Sequence, residues 1–218
     1  AWGLDGVEHG AKDVLDLAAG TGKLTQGLVE LGVSVTAVEP DPGMLAELTR
    51  LLPDVTALLG KAEDIPLPDA SVDAVFIGQA LHWFDLEPSF AEMARVLRPG
   101  GIVMPLWNHD DHDVAWVPEF TAIVRTGVSQ GWASGERTLD TPPGFAPFEE
   151  NRFHHAHRRT IDSLLATVST HSHLLVSEPA KREQILAAAR EFLRTNPATG
   201  HGEFDLPLLT TAFRARRL

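Results

Sequence analysis

The chain has 218 residues, 44% of them hydrophobic and 22% charged, which is typical of one globular α/β domain with a sizeable core. Asp and Glu number 30 against 18 Lys and Arg, and the formal charge of −12 repels phosphate backbones, which argues against a nucleic-acid partner. The absence of cysteine excludes disulfides, thiolate metal ligands and a cysteine nucleophile, and it fits a reducing cytoplasm.

The chain begins with about a dozen residues in which we predict no strong element. It starts at Ala1 without an initiator Met and without the basic and apolar regions of a signal peptide. No apolar run anywhere is long enough to span a bilayer. We therefore expect a soluble, cytoplasmic protein without a membrane partner, whose start has been cut.

Short apolar runs alternate with amphipathic stretches through the first half, a pattern typical of βαβ units around a parallel sheet that is buried on both faces. Runs rich in Val, Leu and Ile predict the strands, and apolar residues at helical spacing predict the helices. The predicted strands are 13–18, 34–39, 54–59, 72–77 and 101–106, and the predicted helices are roughly 22–31, 43–52, 87–97 and 115–128.

The second half has a different pattern. Residues 131–150 are rich in Gly, Pro, Ser and Thr, which predicts a loop. Two helical patterns follow at about 161–171 and 179–194. Residues 151–159 and 204–214 are predicted to form two late strands that flank this helical insert.

The most informative segment is residues 14–25, which read VLDLAAGTGKLT, an apolar strand followed by a glycine turn and a helix. Gly20 and Gly22 have no Cβ, so the backbone can approach a ligand closely and adopt positive φ. The helix start offers unpaired N–H groups to an anion. The segment predicts a cofactor-binding turn, and a tight βα turn without a ligand is the alternative.

Two familiar nucleotide-binding patterns match this turn incompletely. A phosphate-binding P-loop fits at Gly22 and Lys23 but has Leu17 and Leu24 at its other fixed positions, so it is excluded. A dinucleotide-binding fingerprint matches both glycines but has Thr25 where its last Gly or Ala belongs. The match is therefore incomplete, and this alternative is not excluded.

The segment closely resembles the strand-one loop of class I S-adenosylmethionine-dependent methyltransferases, in which an acidic residue precedes a GxGxG turn. Asp16 occupies the acidic position, Gly20 and Gly22 the last two glycine positions, and Ala18 replaces the first glycine. The resemblance implies that Asp16 orients the loop or the amino group of the cofactor, S-adenosylmethionine. It also implies that the backbones of Gly20 and Gly22 border the methionine part.

Glu39 ends the predicted second strand in the run VTAVEPDPGML and is followed by Pro40. A carboxylate at this place can accept hydrogen bonds from both ribose hydroxyls of an adenosine, and charge-assisted bonds are strong. Methyltransferases and dehydrogenases both hold adenosine in this way, so Glu39 does not separate the two classes. We expect Glu39 and Pro40 to bind the cofactor; a solvated carboxylate is the alternative for Glu39.

Residues 60–66 resemble the adenine-contacting turn of the same family. An acidic residue usually precedes the alanine of that turn, but Lys61 stands there in this chain. The backbones of Ala62 and Glu63 are therefore the expected adenine contacts, and the Glu63 side chain is equally well explained as a surface carboxylate.

The segment QALHWFD follows the predicted fourth strand, at the strand end where open α/β sheets bind ligands. The string resembles small-molecule methyltransferases that include trans-aconitate methyltransferase-like enzymes, in which this stretch lines the methyl end of the cofactor. Gln79 and Ala80 are thus expected cofactor contacts. His82 is the candidate catalytic base, because histidine titrates near neutrality, and Trp83 is expected on the substrate side. Packing roles are the alternatives for both.

The resemblance covers residues 13–106 and ends with a turn at 96–101 that is similar to the entry to strand five in the family. The NPP[YF] tetrapeptide of many amino-group methyltransferases is missing, which favours an O- or C-nucleophile or a carboxylate as acceptor. Beyond residue 107 the resemblance is weak, and Trp107 and Asn108 are expected to face the acceptor, with a surface loop as the alternative.

Histidines cluster late in the chain, where His154, His155 and His157 alternate along a predicted strand. Alternation puts His155 on the opposite face from its neighbours, and no carboxylate-rich ligand pattern accompanies them. We therefore expect no metal site.

The family implies a Rossmann-like seven-stranded sheet in the order 3-2-1-4-5-7-6 with strand 7 antiparallel. We expect a single methyltransferase domain, with a cofactor-binding half at 13–106 and a substrate-side half at 107–218. Relatives carry N-terminal helices that close over the cofactor, so here a missing segment or the late helices at 161–194 are expected to close the cleft, near the carboxyl ends of the strands.

The predicted function is methyl transfer from S-adenosylmethionine to a small-molecule acceptor. Two rival functions stay open at this point. A nicotinamide-dependent oxidoreductase requires a second dinucleotide half after strand four, where this chain has a loop and a helical insert. A non-catalytic S-adenosylmethionine-binding protein is the other.

Overall fold

The computed structural model describes residues 2–7, 10, 12–125 and 139–218. These residues form one sheet of seven strands, and each of the seven strands predicted from the sequence is found. The strands are β1 (Asp13–Leu17), β2 (Ser34–Glu39), β3 (Thr56–Leu59), β4 (Val72–Gly78), β5 (Leu97–Asp110), β6 (Glu149–Thr160) and β7 (Glu203–Arg216).

The described residues also form helices at every position where helical spacing is seen in the sequence. Short 3-10 turns lie at Leu4–Gly6 and Leu81–Trp83. The helices are α1 (Lys23–Glu30), α2 (Pro42–Leu51), α3 (Leu86–Val96), α4 (Trp116–Val124), α5 (Ile161–Ser169), α6 (Ser172–Leu175) and α7 (Pro179–Thr195).

The strands lie in the order β3-β2-β1-β4-β5-β7-β6, and β7 runs antiparallel to the others, so the predicted topology is confirmed. The pairings β1–β2, β2–β3, β1–β4 and β4–β5 are all parallel. Because the registers set Leu17 beside Val38 and Glu39 beside Leu59, the carboxyl ends of these strands meet at one edge of the sheet. The loops that follow these strand ends therefore lie close together.

Strand β5 begins at Leu97, earlier than the predicted residue 101. Leu97 pairs with Val72, and the next pair is Ile102 with Ala74, so the register shifts between them. Gly100 takes φ 75° within this stretch. The glycine-rich segment predicted as a turn before the strand is therefore an irregularity within it, where extra residues are accommodated.

Two other boundaries differ from prediction for local reasons. The helix predicted at 161–171 ends at Ser169, because the hydroxyls of Ser169 and Thr170 donate to the carbonyls of Ala166 and Thr167 and compete with further helical bonds. The third strand starts later than predicted because Val55 N–H closes a turn onto Leu52.

The chain divides into two compact units. The first comprises Ala1–Trp107, Leu139–Asn151 and Thr211–Leu218, and the second comprises Asn108–Thr138 and Arg152–Thr210. The first has apolar clusters around the parallel strands. In the second, α4, α5 and α7 pack with Phe204 and Leu206 of β7.

Parts of two predicted elements lie outside the described residues. They are the end of the helix predicted at 115–128 and the first part of the loop predicted at 131–150. In the part of the chain that the structure describes, no helix is both long and apolar enough to cross a membrane.

Gly22 and Gly32 offer a matched test of packing behind the glycine turn. Both have positive φ, 87° and 80°. A Cβ on Gly22 would lie 2.9 Å from Leu48 Cγ, whereas a Cβ on Gly32 would have no neighbour within 4 Å. Each alanine carries a left-handed penalty of about 1–2 kcal/mol, and overpacking adds about 1–3 kcal/mol. Urea denaturation should therefore show a larger loss of unfolding free energy for Gly22→Ala than for Gly32→Ala; equal losses would exclude the packing contribution.

Candidate functional site

A cleft of about 460 Å³ lies where β1, β2, β3 and β4 end, and it belongs entirely to the first unit. Four connections form its walls: the turn after β1, the start of α2 after β2, the turn after β3, and the turn after β4. Its lining residues are Ala18, Gly20, Glu39, Pro40, Met44, Lys61, Ala62, Glu63, Gly78, Gln79, Ala80, Trp83 and Phe84.

The turn after β1 contains two residues with left-handed backbone conformation. Ala18 has φ 57° and Gly20 has φ 58°, so an alanine occupies a conformation that usually favours glycine. Both residues line the cleft. Gly22 precedes α1 and faces Leu48 of α2, so its lack of a side chain permits close packing between the two helices. It is not one of the residues that line the cleft.

Glu39 fixes the shape of this turn from the neighbouring strand. Its side chain is buried, with the residue only 4% exposed. One oxygen, Oε2, accepts a hydrogen bond from Gly20 N–H at 2.8 Å, and Oε1 accepts from Asp41 N–H at 2.9 Å. Each carboxylate oxygen has a further lone pair, so the group that orders the glycine turn can also accept from a ligand in the cleft.

Asp16 lies beneath the turn and is only 1% exposed. Its Oδ2 accepts a 2.6 Å hydrogen bond from the Thr25 hydroxyl, and its Oδ1 has no hydrogen-bond partner among the described residues. Burial raises the pKa of Asp16 to about 6; the hydroxyl and amide of Thr25 oppose that rise, and the charge of Glu39 adds to it. Asp16 therefore joins β1 to α1 and does not line the cleft.

The turn after β3 brings Lys61, Ala62 and Glu63 into the cleft wall. The turn is closed by the hydrogen bond from Asp64 N–H to the Lys61 carbonyl, and Ala62 is buried. Lys61 contributes the one positive side chain among the lining residues. It occupies the position that is usually acidic in the turn that this segment resembles.

The turn after β4 forms the opposite wall and contains a strained residue. Gln79 has φ 60°, which is uncommon for a residue other than glycine, and its N–H donates to the Leu106 carbonyl. Trp83 is 76% exposed at the end of the 3-10 turn, and the His82 ring lies 4.9 Å from the Trp83 ring, centroid to centroid. A largely exposed tryptophan beside a cleft leaves an aromatic face available to a ligand.

The two substrate-side residues predicted to follow the fifth strand lie within β5, and their surroundings differ. Trp107 is only 2% exposed and packs edge-on against Phe213 at 6.0 Å, so it is a core residue and not, as predicted, an acceptor-facing one. Asn108 belongs to the second unit and is exposed; its Oδ1 accepts a 2.6 Å bond from the Thr210 hydroxyl.

The histidines of β6 have separate partners within the second unit. His154 Nδ1 lies 2.7 Å from Oδ2 of the buried Asp111, which lowers the pKa of that carboxyl, and His155 lies 2.9 Å from the Thr210 hydroxyl. Across the described residues, no three His, Cys, Asp or Glu side chains are grouped closely enough to hold a metal ion.

Some residues of the cleft were not predicted. Met44 lies in the first turn of α2, where Asp41 caps the helix by accepting from Met44 N–H at 2.8 Å. The Asp-Pro pair after Glu39 signals a helix start, and this signal would have placed Met44 beside the strand end. Phe84 ends the aromatic segment after β4 and also lines the cleft.

The cleft thus combines a buried carboxylate, a turn with left-handed backbone, and apolar walls. The carboxylate can accept from hydroxyl donors, and the walls suit a flat apolar ring beside Met44 and Ala62. Such a site can bind a ligand that contains a nucleoside, with the opposite end of the ligand directed toward Gln79 and Trp83.

Comparison with known proteins agrees with this arrangement. A family model described as a methyltransferase domain matches residues 15–104. An uncharacterised methyltransferase of Mycobacterium bovis is 41% identical over 206 residues, which cover 94% of this chain and 83% of that protein. The solved structure of a protein described as a type II methyltransferase, from Anaeromyxobacter dehalogenans, is 30% identical with a TM-score of 0.71, covering 99% of this chain and 93% of that one.

Two relatives with named substrates match only part of the chain. A malonyl-[acyl-carrier protein] O-methyltransferase of Serratia marcescens is 38% identical over 100 residues, 45% of this chain and 39% of that protein. A demethylmenaquinone methyltransferase of Beutenbergia cavernae is 44% identical over 91 residues, 40% of this chain and 37% of that protein.

The raised pKa of Asp16 predicts a pH-dependent loss of stability. The folded protein binds this proton more tightly than the unfolded chain, so ionised Asp16 lowers stability above about pH 6, and the loss is relieved as the pH falls toward the ordinary value of 3.8. Asp16→Asn cannot ionise. Its unfolding free energy relative to wild type should therefore fall by about 1 kcal/mol or more between about pH 7.5 and about pH 5.

Urea denaturation of both proteins at the two pH values measures this difference. Asp54→Asn, at an exposed position, is the control for losing one negative charge. A relative stability of Asp16→Asn that does not change with pH would contradict the assignment.

Proposed function

Because the chain belongs to the class I S-adenosylmethionine-dependent methyltransferases, we propose that it transfers the methyl group of S-adenosylmethionine to a small-molecule acceptor. S-adenosylmethionine is its cofactor. The observation that carries the proposal is the buried Glu39 carboxylate, which is tied to the glycine turn and borders the cleft. The cleft volume of about 460 Å³ lies within the range of roughly 300–1,000 Å³ usual for small-molecule sites.

The adenosine half of the cofactor fits the part of the cleft between β2 and the turn after β3. We assign the ribose hydroxyls to Glu39, with Pro40 beside it, and the adenine ring to the apolar space near Met44 and Ala62. Lys61 is a hydrogen-bond donor and Glu63 directs its carboxylate elsewhere, so the adenine amino group is assigned to backbone acceptors at Ala62 and Glu63.

The methionine half is assigned to the glycine turn. Ala18 and Gly20 leave room for close approach of the backbone, and Asp16 with Thr25 holds the turn in place from below. A ligand that carries positive charge would favour the ionised form of Asp16, which is the form disfavoured by burial.

The bound cofactor supplies an activated methyl group on a sulfonium, so the protein's task is alignment and exclusion of water. We assign Gln79 and Ala80 to the methyl end of the cleft and Trp83 to the acceptor. For a hydroxyl acceptor, His82 would take the proton as the oxygen attacks, which is the role of a general base.

The choice of a small molecule rests on two supports. The formal charge of −12 disfavours a polyanionic acceptor. Relatives that match the cofactor-binding part are named for malonyl-[acyl-carrier protein] and demethylmenaquinone, neither of which is a nucleic acid.

Calorimetry and a turnover assay test the proposal separately. S-adenosylmethionine and S-adenosylhomocysteine should bind, and NAD should not, because the oxidoreductase alternative requires the opposite preference. Methyl-labelled S-adenosylmethionine should then transfer label to a component of a small-metabolite extract but not to added RNA or DNA. Binding without transfer to any fraction would support a non-catalytic cofactor-binding protein.

Glu39→Ala should weaken S-adenosylhomocysteine binding by about 10- to 100-fold, because a charged acceptor for two hydroxyls contributes roughly 1.5–3 kcal/mol. The variant also releases the amide of Gly20, so its effect includes disorder of the turn. Glu63→Ala is the matched carboxylate on the same cleft and should weaken binding by only a few fold. Calorimetry measures both, and unchanged affinity in a Glu39→Ala protein with a native circular dichroism spectrum would remove Glu39 from the site.

A further inference from the structure

The Glu63 side chain joins the two walls of the cleft. The residue belongs to the turn after β3, yet its Oε1 accepts from the N–H of Asp85 at 3.1 Å and from the hydroxyl of Ser89 at 3.4 Å. Both donors lie just beyond Trp83 and Phe84, which form the opposite wall. A single carboxylate oxygen therefore links the turn after β3 to the start of α3.

The Glu63 carboxylate satisfies two hydrogen-bond donors at the start of α3. Asp85 is the N-cap of α3, but its own side chain makes no capping hydrogen bond. Ser89 is fully buried, so its hydroxyl requires an acceptor inside the protein. An anionic acceptor at a helix start is favourable. Although burial acts to raise it, the pKa of Glu63 is lowered by its own backbone amide, by Asp85 N–H, by Lys61 and by the Ser89 hydroxyl.

The turn that Glu63 restrains is anchored in the core at Ala80 and Leu81, and beyond Trp83 it is held by the bond from Asp85 to Glu63. It starts at the strained Gln79, whose N–H is bonded to Leu106, and it ends at Asp85, whose N–H is bonded to Glu63. Between them the Trp83 side chain is largely exposed and contributes little packing. The bond from Asp85 to Glu63 therefore restrains the chain directly after Trp83, on the side away from the buried Ala80 and Leu81.

Glu92 provides a natural comparison. Its Oε2 accepts a 2.8 Å bond from Ile65 N–H, so it also links α3 to the segment after β3, and it pairs with Arg95. Glu92 does not line the cleft. The same two elements are thus joined by Glu63, by Glu92 and by Arg95, which donates to the Ile65 and Leu67 carbonyls. Of these three residues, Glu63 alone lines the cleft.

We propose that Glu63 is a positioning residue that couples cofactor binding to the acceptor side of the cleft. A cofactor held against the backbone of Ala62 and Glu63 orders that turn, the Glu63 carboxylate transmits the order to Asp85, and Trp83 is fixed where the acceptor binds. This inference rests on the proposed function, because it requires the adenosine half to lie at Ala62 and Glu63.

Fluorine NMR of protein labelled with 5-fluorotryptophan tests the coupling. The chain has 5 tryptophans, and the Trp83 resonance is identified by its loss in Trp83→Phe. The probe is S-adenosylhomocysteine at saturation, with binding verified by calorimetry on each variant. We expect the Trp83 resonance to shift in wild type and the shift to be lost in Glu63→Ala, although the ligand still binds.

Three further variants separate coupling from general damage. Glu63→Gln keeps an oxygen that accepts from Asp85 N–H and should retain the shift, as should Glu92→Ala. Asp85→Pro removes the N–H that donates to Glu63, leaves the Glu63 side chain in place and should lose the shift. Its backbone suits proline, because Asp85 has φ −74° and Phe84 is extended with ψ 147°. This variant decides the matter if Glu63→Ala does not fold.

An equal shift in wild type, Glu63→Ala and Asp85→Pro would overturn the coupling, and so would loss of the shift in Glu92→Ala. If wild type binds S-adenosylhomocysteine with no response of Trp83, the coupling is wrong and the proposed function stands. If wild type does not bind the ligand at all, the proposed function fails and the coupling fails with it.

Discussion

The cleft depends on two backbone N–H groups that share one buried carboxylate. Gly20 follows β1 and Asp41 precedes α2, and Glu39 at the end of β2 accepts from both. A carboxylate that is 4% exposed has lost most of its hydration, so these bonds replace the water that burial removes. Because the parallel register places the ends of β1 and β2 side by side, Glu39 is positioned to hold the glycine turn in this way.

Much of the fold and several residues of the cleft wall could be predicted from the sequence, because both depend on local patterns. Apolar runs alternate with helical spacing, and parallel strands connected by helices bring successive loops to the same edge. The expected contacts Ala18, Gly20 and Glu39 are found in the cleft wall for this reason. A family resemblance supplied the strand order, including the antiparallel β7, which periodicity alone does not encode.

What the sequence did not predict depends on partners far apart in the chain. Glycine is favoured at position 22 because its φ is positive and because a side chain there would lie too close to Leu48. The structure is needed to show the second reason, because it depends on where Leu48 lies. Trp107 was predicted to follow the fifth strand as a ligand-facing residue would, but it lies within β5 and packs against the distant Phe213. Glu63 was seen as a possible surface carboxylate, whereas its bond to Asp85 joins residues separated by a whole strand, β4.

Asp16 and Glu39 show how neighbouring carboxylates acquire different roles from their surroundings. Glu39 is matched by two N–H donors, whereas Asp16 has the Thr25 hydroxyl on one oxygen and no partner among the described residues on the other. The charge of Glu39 adds to the burial that raises the pKa of Asp16, so the better-satisfied carboxylate makes ionisation of the other less favourable. A positively charged ligand in the cleft would oppose this effect, because it would favour the ionised form of Asp16, which burial disfavours.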